Sequence, residues 1–156
     1  MDAVTAPVPG LERALDVEAR LGPIEDHGMT RAGHRRVVPI VGGHVRGLFD
    51  AEILHGGADW QLVRPDGAVE IDTRYSARTA DGEHVYIRTF GVRSGPPGVL
   101  AALGRGEPVD PSEYYFRIGL HLETSAPRLA GLERSIFVAS AVREADLVRY
   151  TAYRVT

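Results

Sequence analysis

Apolar and polar residues alternate with period two through most of the chain. Leu15, Val17, Ala19 and Leu21 interleave with Asp16, Glu18 and Arg20, the pattern of a strand with one face on a core and the other in water. Residues 37–41 are rich in β-branched side chains, with Pro39 predicting an edge or a bulge. Gly42 and Gly43 predict a turn. Further strands are predicted over 45–54, 59–63, 69–79 and 84–92. Pro65, Asp66 and Gly67 predict a tight turn, because Pro presets φ and Gly accepts positive φ. Ala80, Asp81 and Gly82 repeat the device one strand later. Residues 94–111 break the rhythm, with one or two helical turns over 99–103, and read as an excursion over one end of the fold. Strands resume over 114–123, a short helical piece is predicted over 127–133, and 135–142 with 147–155 form a final hairpin.

This pattern predicts an all-β protein: a single antiparallel up-and-down barrel of about eight to nine strands with a short helical excursion. Closure removes the sheet edges, and a barrel of about this size is filled by side chains or holds one small ligand. A sandwich is the alternative. Residues 1–10 are expected to be an extended or disordered tail and 11–156 one domain.

Composition narrows the chemistry. The 156 residues include no cysteine, which removes disulfides, thiolate metal sites and cysteine nucleophiles. All 18 basic residues are arginine, so Schiff-base and lysine-base chemistry are unavailable. A net charge of −3 gives no footprint for nucleic acid or an anionic membrane. No apolar run reaches membrane-spanning length, and residues 1–10 lack the regions of a secretory leader. The expectation is a cytoplasmic protein acting on a small molecule, with a homodimer possible.

The motifs Gly42-Gly43, Gly56-Gly57-Ala58-Asp59-Trp60, Asp66-Gly67, Asp72 to Tyr75, Thr79 to Gly82, Tyr114 to Arg117 and Glu123-Thr124 occur in series. In that order they resemble the domain of unknown function 3237 family, over about residues 15–155. The resemblance implies an antiparallel β-barrel and no settled mechanism. The chain departs from the family pattern after its Gly-Gly pair, where His44, Arg46 and Phe49 follow.

The candidate chemistry lies on adjacent strands. Asp59 is a candidate general acid/base beside Trp60, a candidate wall; the alternatives are a turn carboxylate and a core tryptophan. Asp72 and Arg74 share one strand face, and Tyr115, Arg117, His121 and Glu123 share another. Pointing inward, these faces line a wet cavity. Pointing outward, they coat the exterior, with Val69, Ile71, Thr73 and Tyr75, and Phe116, Ile118, Leu120 and Leu122, inside. Under the cavity reading Asp59, Asp72, Arg74 and Arg117 are catalytic, and Trp60, His44, Tyr75, Tyr115, His121 and Glu123 bind substrate. Arginines stabilise an enolate or phenolate while a carboxylate moves protons. That equipment suits a cofactor-independent lyase, isomerase or cyclase acting on a small conjugated or polyketide-like molecule. The alternatives are a carrier of a small hydrophobic ligand and an accessory protein with a filled barrel. The six histidines show no metal-ligand spacing, and no metal or cofactor is expected.

Overall fold

The computed structural model describes residues 3–156. Residues 3–9 have no regular structure and are exposed; the rest of the expected tail, residues 1 and 2, lies outside the described residues. Ten strands follow: β1 (Leu11–Leu21), β2 (Glu25–Thr30), β3 (Gly33–Gly47), β4 (Ala51–Ile53), β5 (Gly57–Val63), β6 (Val69–Arg78), β7 (His84–Ser94), β8 (Tyr115–Thr124), β9 (Phe137–Arg143) and β10 (Leu147–Val155), with a helix α1 (Pro97–Gly104) between β7 and β8. Antiparallel pairing runs from β6 through β7, β8, β9 and β10 to β1, then to β3, and back to β6 through β5. The circuit is a closed eight-stranded barrel, with β2 and β4 as additions. Closure leaves no free edge on these eight strands.

The predicted turn at Gly42-Gly43 is instead a bend inside one long strand. The first part of β3 pairs with β2 and β5, and its last part with β1 and β4. Gly43 has φ +126°, and a Cβ there would be driven into the Glu18 carbonyl, so only glycine lets β1 and β3 meet at the bend. Pro39 sits between the residues of β3 that pair with β2 and those that pair with β1, where its missing N–H costs no ladder bond on that side. The predicted strand over 45–54 is split into the end of β3 and the short β4 by Leu48–Asp50. The hairpin strand β2 had no alternating pattern to announce it.

The two barrel ends differ. At one, Phe49, Ala126, Leu129, Leu132 and Phe137 are buried and close the interior with hydrocarbon. Arg128 ties this cover to the barrel through Glu83, at 2.9 and 3.1 Å from its Nε. At the other end lies the excursion carrying α1. Leu103 and Tyr114 are buried, Leu100 meets Gly67 in the β5–β6 turn, and Gly106 meets Ala145 in the β9–β10 turn. The Tyr114 hydroxyl accepts the Arg143 backbone N–H at 3.1 Å. The polar part of the interior lies beneath this second end.

Candidate functional site

Strand parity decides which side chains enter the barrel. Along β6, Val69, Ile71, Thr73 and Tyr75 are buried; along β8, Phe116, Ile118, Leu120 and Leu122. Each apolar residue turned inward contributes about 1.5–3 kcal/mol, whereas each unpaired charge turned inward costs several. The polar faces of both strands therefore lie outside, and the cavity reading of those faces is corrected. Asp72 lies between Arg74 at 3.7 Å and Arg88 at 3.6 Å on the outer surface. Arg117 covers the exposed Tyr115 ring at 5.3 Å, and His121 meets Glu123 at 3.3 Å. Trp60 faces outward, 39% exposed. His44 lies on the outer face of β3, 3.7 Å from Glu18. None of Asp72, Arg74, Arg117, Tyr115, His121, Glu123, Trp60 or His44 lines the interior cavity.

Asp59 and Tyr75 do line it, with residues that a search for polar faces passes over. The cavity encloses about 40 Å³ of free volume and opens to solvent at its mouth. Aliphatic and aromatic walls, among them Ile40, Ile71, Phe116 and Ile118, surround a small polar set: Asp59, Gln61, Thr73, Thr89, Arg93, Arg143, Tyr75 and Tyr150. Few polar groups in an apolar wall is the usual composition of a small-molecule site.

Asp59 is fixed from three sides. The β5–β6 ladder is interrupted between the pairs Asp59–Thr73 and Leu62–Glu70. Asp59 Oδ1 fills the gap by accepting the Asp72 backbone N–H at 3.1 Å. Its Oδ2 accepts Gln61 Nε2 at 2.8 Å, and Arg36 donates to Gln61 Oε1 at 2.9 Å. Burial pushes the carboxyl above its ordinary range; Gln61, the Asp72 N–H, the Thr73 hydroxyl and the Arg93 charge pull the other way without cancelling it. A carboxyl raised by burial yet held by donors is better suited to take and return a proton than an ordinary surface carboxylate.

Arg93 faces the same cavity. It is 6% exposed, its guanidinium lies over the Phe116 ring at 5.2 Å, and among the described residues it has no hydrogen bond or ion pair. Burial, with the nearby charge of Arg143, lowers it to about 10. Arg143 is lowered as well, mainly by burial and then by Arg36, and donates to the carbonyl of Ala145 at 3.0 Å. Arg36 Nε is buried without a partner. Arg93, Arg143 and Arg36 thus outnumber the carboxylates that act on them, Asp59 and Asp146, and the excess positive charge at the polar end of the cavity can hold an anion. Arg93 is in phase with buried neighbours on its strand, the one signal in the sequence that marks it; Gln61 carries none. No three His, Asp or Glu side chains among the described residues converge to hold a metal ion.

Comparison with known proteins gives the lineage. A UPF0311 protein of Bradyrhizobium diazoefficiens is 42% identical over 139 residues, 89% of this chain and 91% of that protein. The crystal structure of a conserved protein of unknown function from Rhodopseudomonas palustris superposes with a TM-score of 0.91 at 37% identity, covering 97% of this chain and 100% of the other. Two more distant matches are with Penicillium proteins. An enzyme from Penicillium herquei shares the fold, with a TM-score of 0.72 at 17% identity over 99% of this chain and 100% of its own. A PR-toxin biosynthesis cluster protein of Penicillium roqueforti is 26% identical over 103 residues, 55% of each chain. The family described as Protein of unknown function (DUF3237) matches residues 9–155, and the chain belongs to it.

Proposed function

We propose that this barrel is a cofactor-independent enzyme that moves protons on a small conjugated molecule, as a lyase, isomerase or cyclase of specialised metabolism. The observation that carries this reading is the pairing, inside one apolar-walled cavity, of a carboxyl raised by burial (Asp59) with a guanidinium (Arg93) that makes no hydrogen bond or ion pair among the described residues. Asp59 takes or returns the proton. Arg93 holds the oxygen on which negative charge develops, as an enolate or phenolate. Arg36 and Gln61 form a relay that keeps the carboxylate oriented, so they are positioning residues. A carrier of hydrophobic ligands has no need of a buried cation and would lose affinity by desolvating one. The descriptions of the two fungal proteins, one an enzyme and one a member of a toxin biosynthesis cluster, favour the same class.

The test is solvent exchange. Wild type, D59N and R93Q are incubated in D₂O with a panel of enolisable aryl ketones and β-dicarbonyl compounds, and exchange or conversion is followed by NMR. The expected result is turnover by wild type, about 10²-fold or more slower in D59N and about 10²- to 10³-fold slower in R93Q. Turnover equal to wild type in both variants would overturn the assignment.

A further inference from the structure

Below Asp59, the cavity ends on two tyrosines. Tyr75 comes from β6 and Tyr150 from β10, strands on opposite sides of the circuit. Both rings are buried and their hydroxyls hydrogen-bond to each other across the barrel. Small residues make the room: Tyr150 registers opposite Ala141, and Gly57 packs against Tyr75, where a Cβ would lie 2.5 Å from the ring-bearing Cβ. The pair separates the polar upper cavity from the hydrocarbon-filled end.

A count of hydrogens gives the pair a direction. Two hydroxyls carry two hydrogens, and their mutual bond uses one. Neither hydroxyl has another hydrogen-bond partner among the described residues. One O–H donor is therefore left over, on residues that line the cavity. Burial raises both tyrosines above the ordinary phenol range, so both hydrogens are present at neutral pH. A tyrosine facing a phenylalanine would fill nearly the same volume without adding a second hydroxyl to the apolar interior.

We infer that the free hydroxyl of the Tyr75–Tyr150 pair donates to an uncharged oxygen of the substrate, a carbonyl or a phenol, while Arg93 holds an anionic oxygen at the other end. The substrate class is then an elongated aromatic or conjugated anion with oxygen at both poles, lying past Asp59, which registers between them on Thr73. This inference rests on the reading of the cavity as an anion site, and adds its second pole.

The probes are three pairs of acids of increasing length: benzoate and 4-hydroxybenzoate, phenylacetate and 4-hydroxyphenylacetate, cinnamate and 4-hydroxycinnamate. Affinities are measured by NMR titration of wild type, R93Q, Y75F, Y150F and Y75F/Y150F. In at least one pair the hydroxylated acid should bind wild type more tightly, by about 2- to 12-fold for one hydrogen bond. R93Q should lose both members of that pair. The double variant should keep the deoxy acid within about twofold and lose only the hydroxyl increment. Each single variant should retain the increment, because removing one hydroxyl releases the other. An independent readout uses wild type labelled at tyrosine Cζ: the Tyr75 and Tyr150 resonances should move with the hydroxylated acid and stay with its deoxy partner. No increment in any pair, an increment that survives in Y75F/Y150F, or unmoved Cζ resonances would overturn the inference. Deoxy acids that bind through Arg93 with no hydroxyl increment would leave the anion site standing and remove only the tyrosine pole. If none of the acids binds wild type, both poles fall.

Discussion

Replacing Arg93 by methionine should stabilise the folded protein. The guanidinium is 6% exposed, makes no hydrogen bond or ion pair among the described residues, and is lowered by burial to about 10. At about 1.4 kcal/mol per unit of pKa, the folded state disfavours the charged form by about 3 kcal/mol. Methionine keeps the length of the stem and removes the charge. It also removes the contact of the guanidinium with the Phe116 ring at 5.2 Å, worth about 1–2 kcal/mol in a dry site. The expected net gain for R93M is about 1–2 kcal/mol, a rise in Tm of roughly 3–6 °C for a domain of this size. Urea denaturation at pH 7, followed by far-UV circular dichroism, measures it, with an unchanged m-value. The sign with pH follows from linkage. A base whose folded pKa lies below its unfolded one destabilises wherever it is charged in both states. That penalty is lifted only as pH climbs from about 10 into the ordinary guanidinium range. Because the Arg93 charge lowers Asp59, the gap between R93M and wild type should be widest where Asp59 is protonated and narrow as Asp59 ionises. An anionic ligand that pairs with Arg93 should raise the Tm of wild type and leave R93M unmoved. A variant less stable than wild type by about 1 kcal/mol or more would mean that the guanidinium is an internal structural partner, and the argument for an anion site would fail.

D59N should gain stability over wild type as pH rises. Burial raises Asp59, so its contribution is complete below the ordinary carboxylate range and is lost as the pH climbs through the raised value; denaturation midpoints at pH 4 and pH 8 give the trend, and a constant difference would refute it. G43A should cost about 2 kcal/mol or more, since a Cβ meets the Glu18 carbonyl at φ +126°, and a wild-type melting temperature would refute the role of the bend. F137A, at a residue 1% exposed, should cost about 3–5 kcal/mol by thermal or urea denaturation, leaving the affinity for aromatic acids within about twofold at a temperature where the variant is folded. D72N, R74A and R117A should each change stability by about 0.5 kcal/mol or less and leave turnover within about twofold. A large loss of activity in any of them would return the chemistry to the outer face.

The architecture was legible because it depends on repeated, local signals. Eight segments alternate strongly enough to be strands, and Asp66-Gly67 and Asp81-Gly82 close hairpins where the sequence demands glycine with positive φ, found at +88° and +86°. The strand β2 carries no such signal: its residues are almost all exposed, so neither face had to be apolar. Gly42-Gly43 illustrates the opposite problem. A glycine pair reads equally as a turn or as a place where two backbones touch, and only the approach of β1 decides between them.

The site was less legible, for a reason that lies in the barrel itself. A strand with one wholly apolar face and one charged face has its orientation already decided by burial, and its charges mark the outside. Asp72, Arg74, Arg117 and Glu123 are conspicuous in the sequence because they form clean polar stripes, and that is also why they face water. An interior polar residue shows the reverse pattern, a single interruption in an apolar row. Arg93 follows Val85, Ile87, Thr89 and Gly91 on the inward face of β7, and Tyr150 stands between Val148 and Ala152 on β10. Strand β5 is the hardest case, because Asp59 and Gln61 alternate with Ala58, Trp60 and Leu62, and periodicity alone turns the apolar set inward. Its neighbours reverse that choice: the interrupted ladder with β6 supplies a backbone donor to Asp59, and the Arg36 guanidinium donates to the Gln61 side-chain oxygen. The Tyr75–Tyr150 contact joins residues 75 positions apart, and no local pattern encodes it. What selects these residues is the demand that each buried polar group find a partner, and that demand acts between strands distant in the sequence, where local periodicity carries no trace of it.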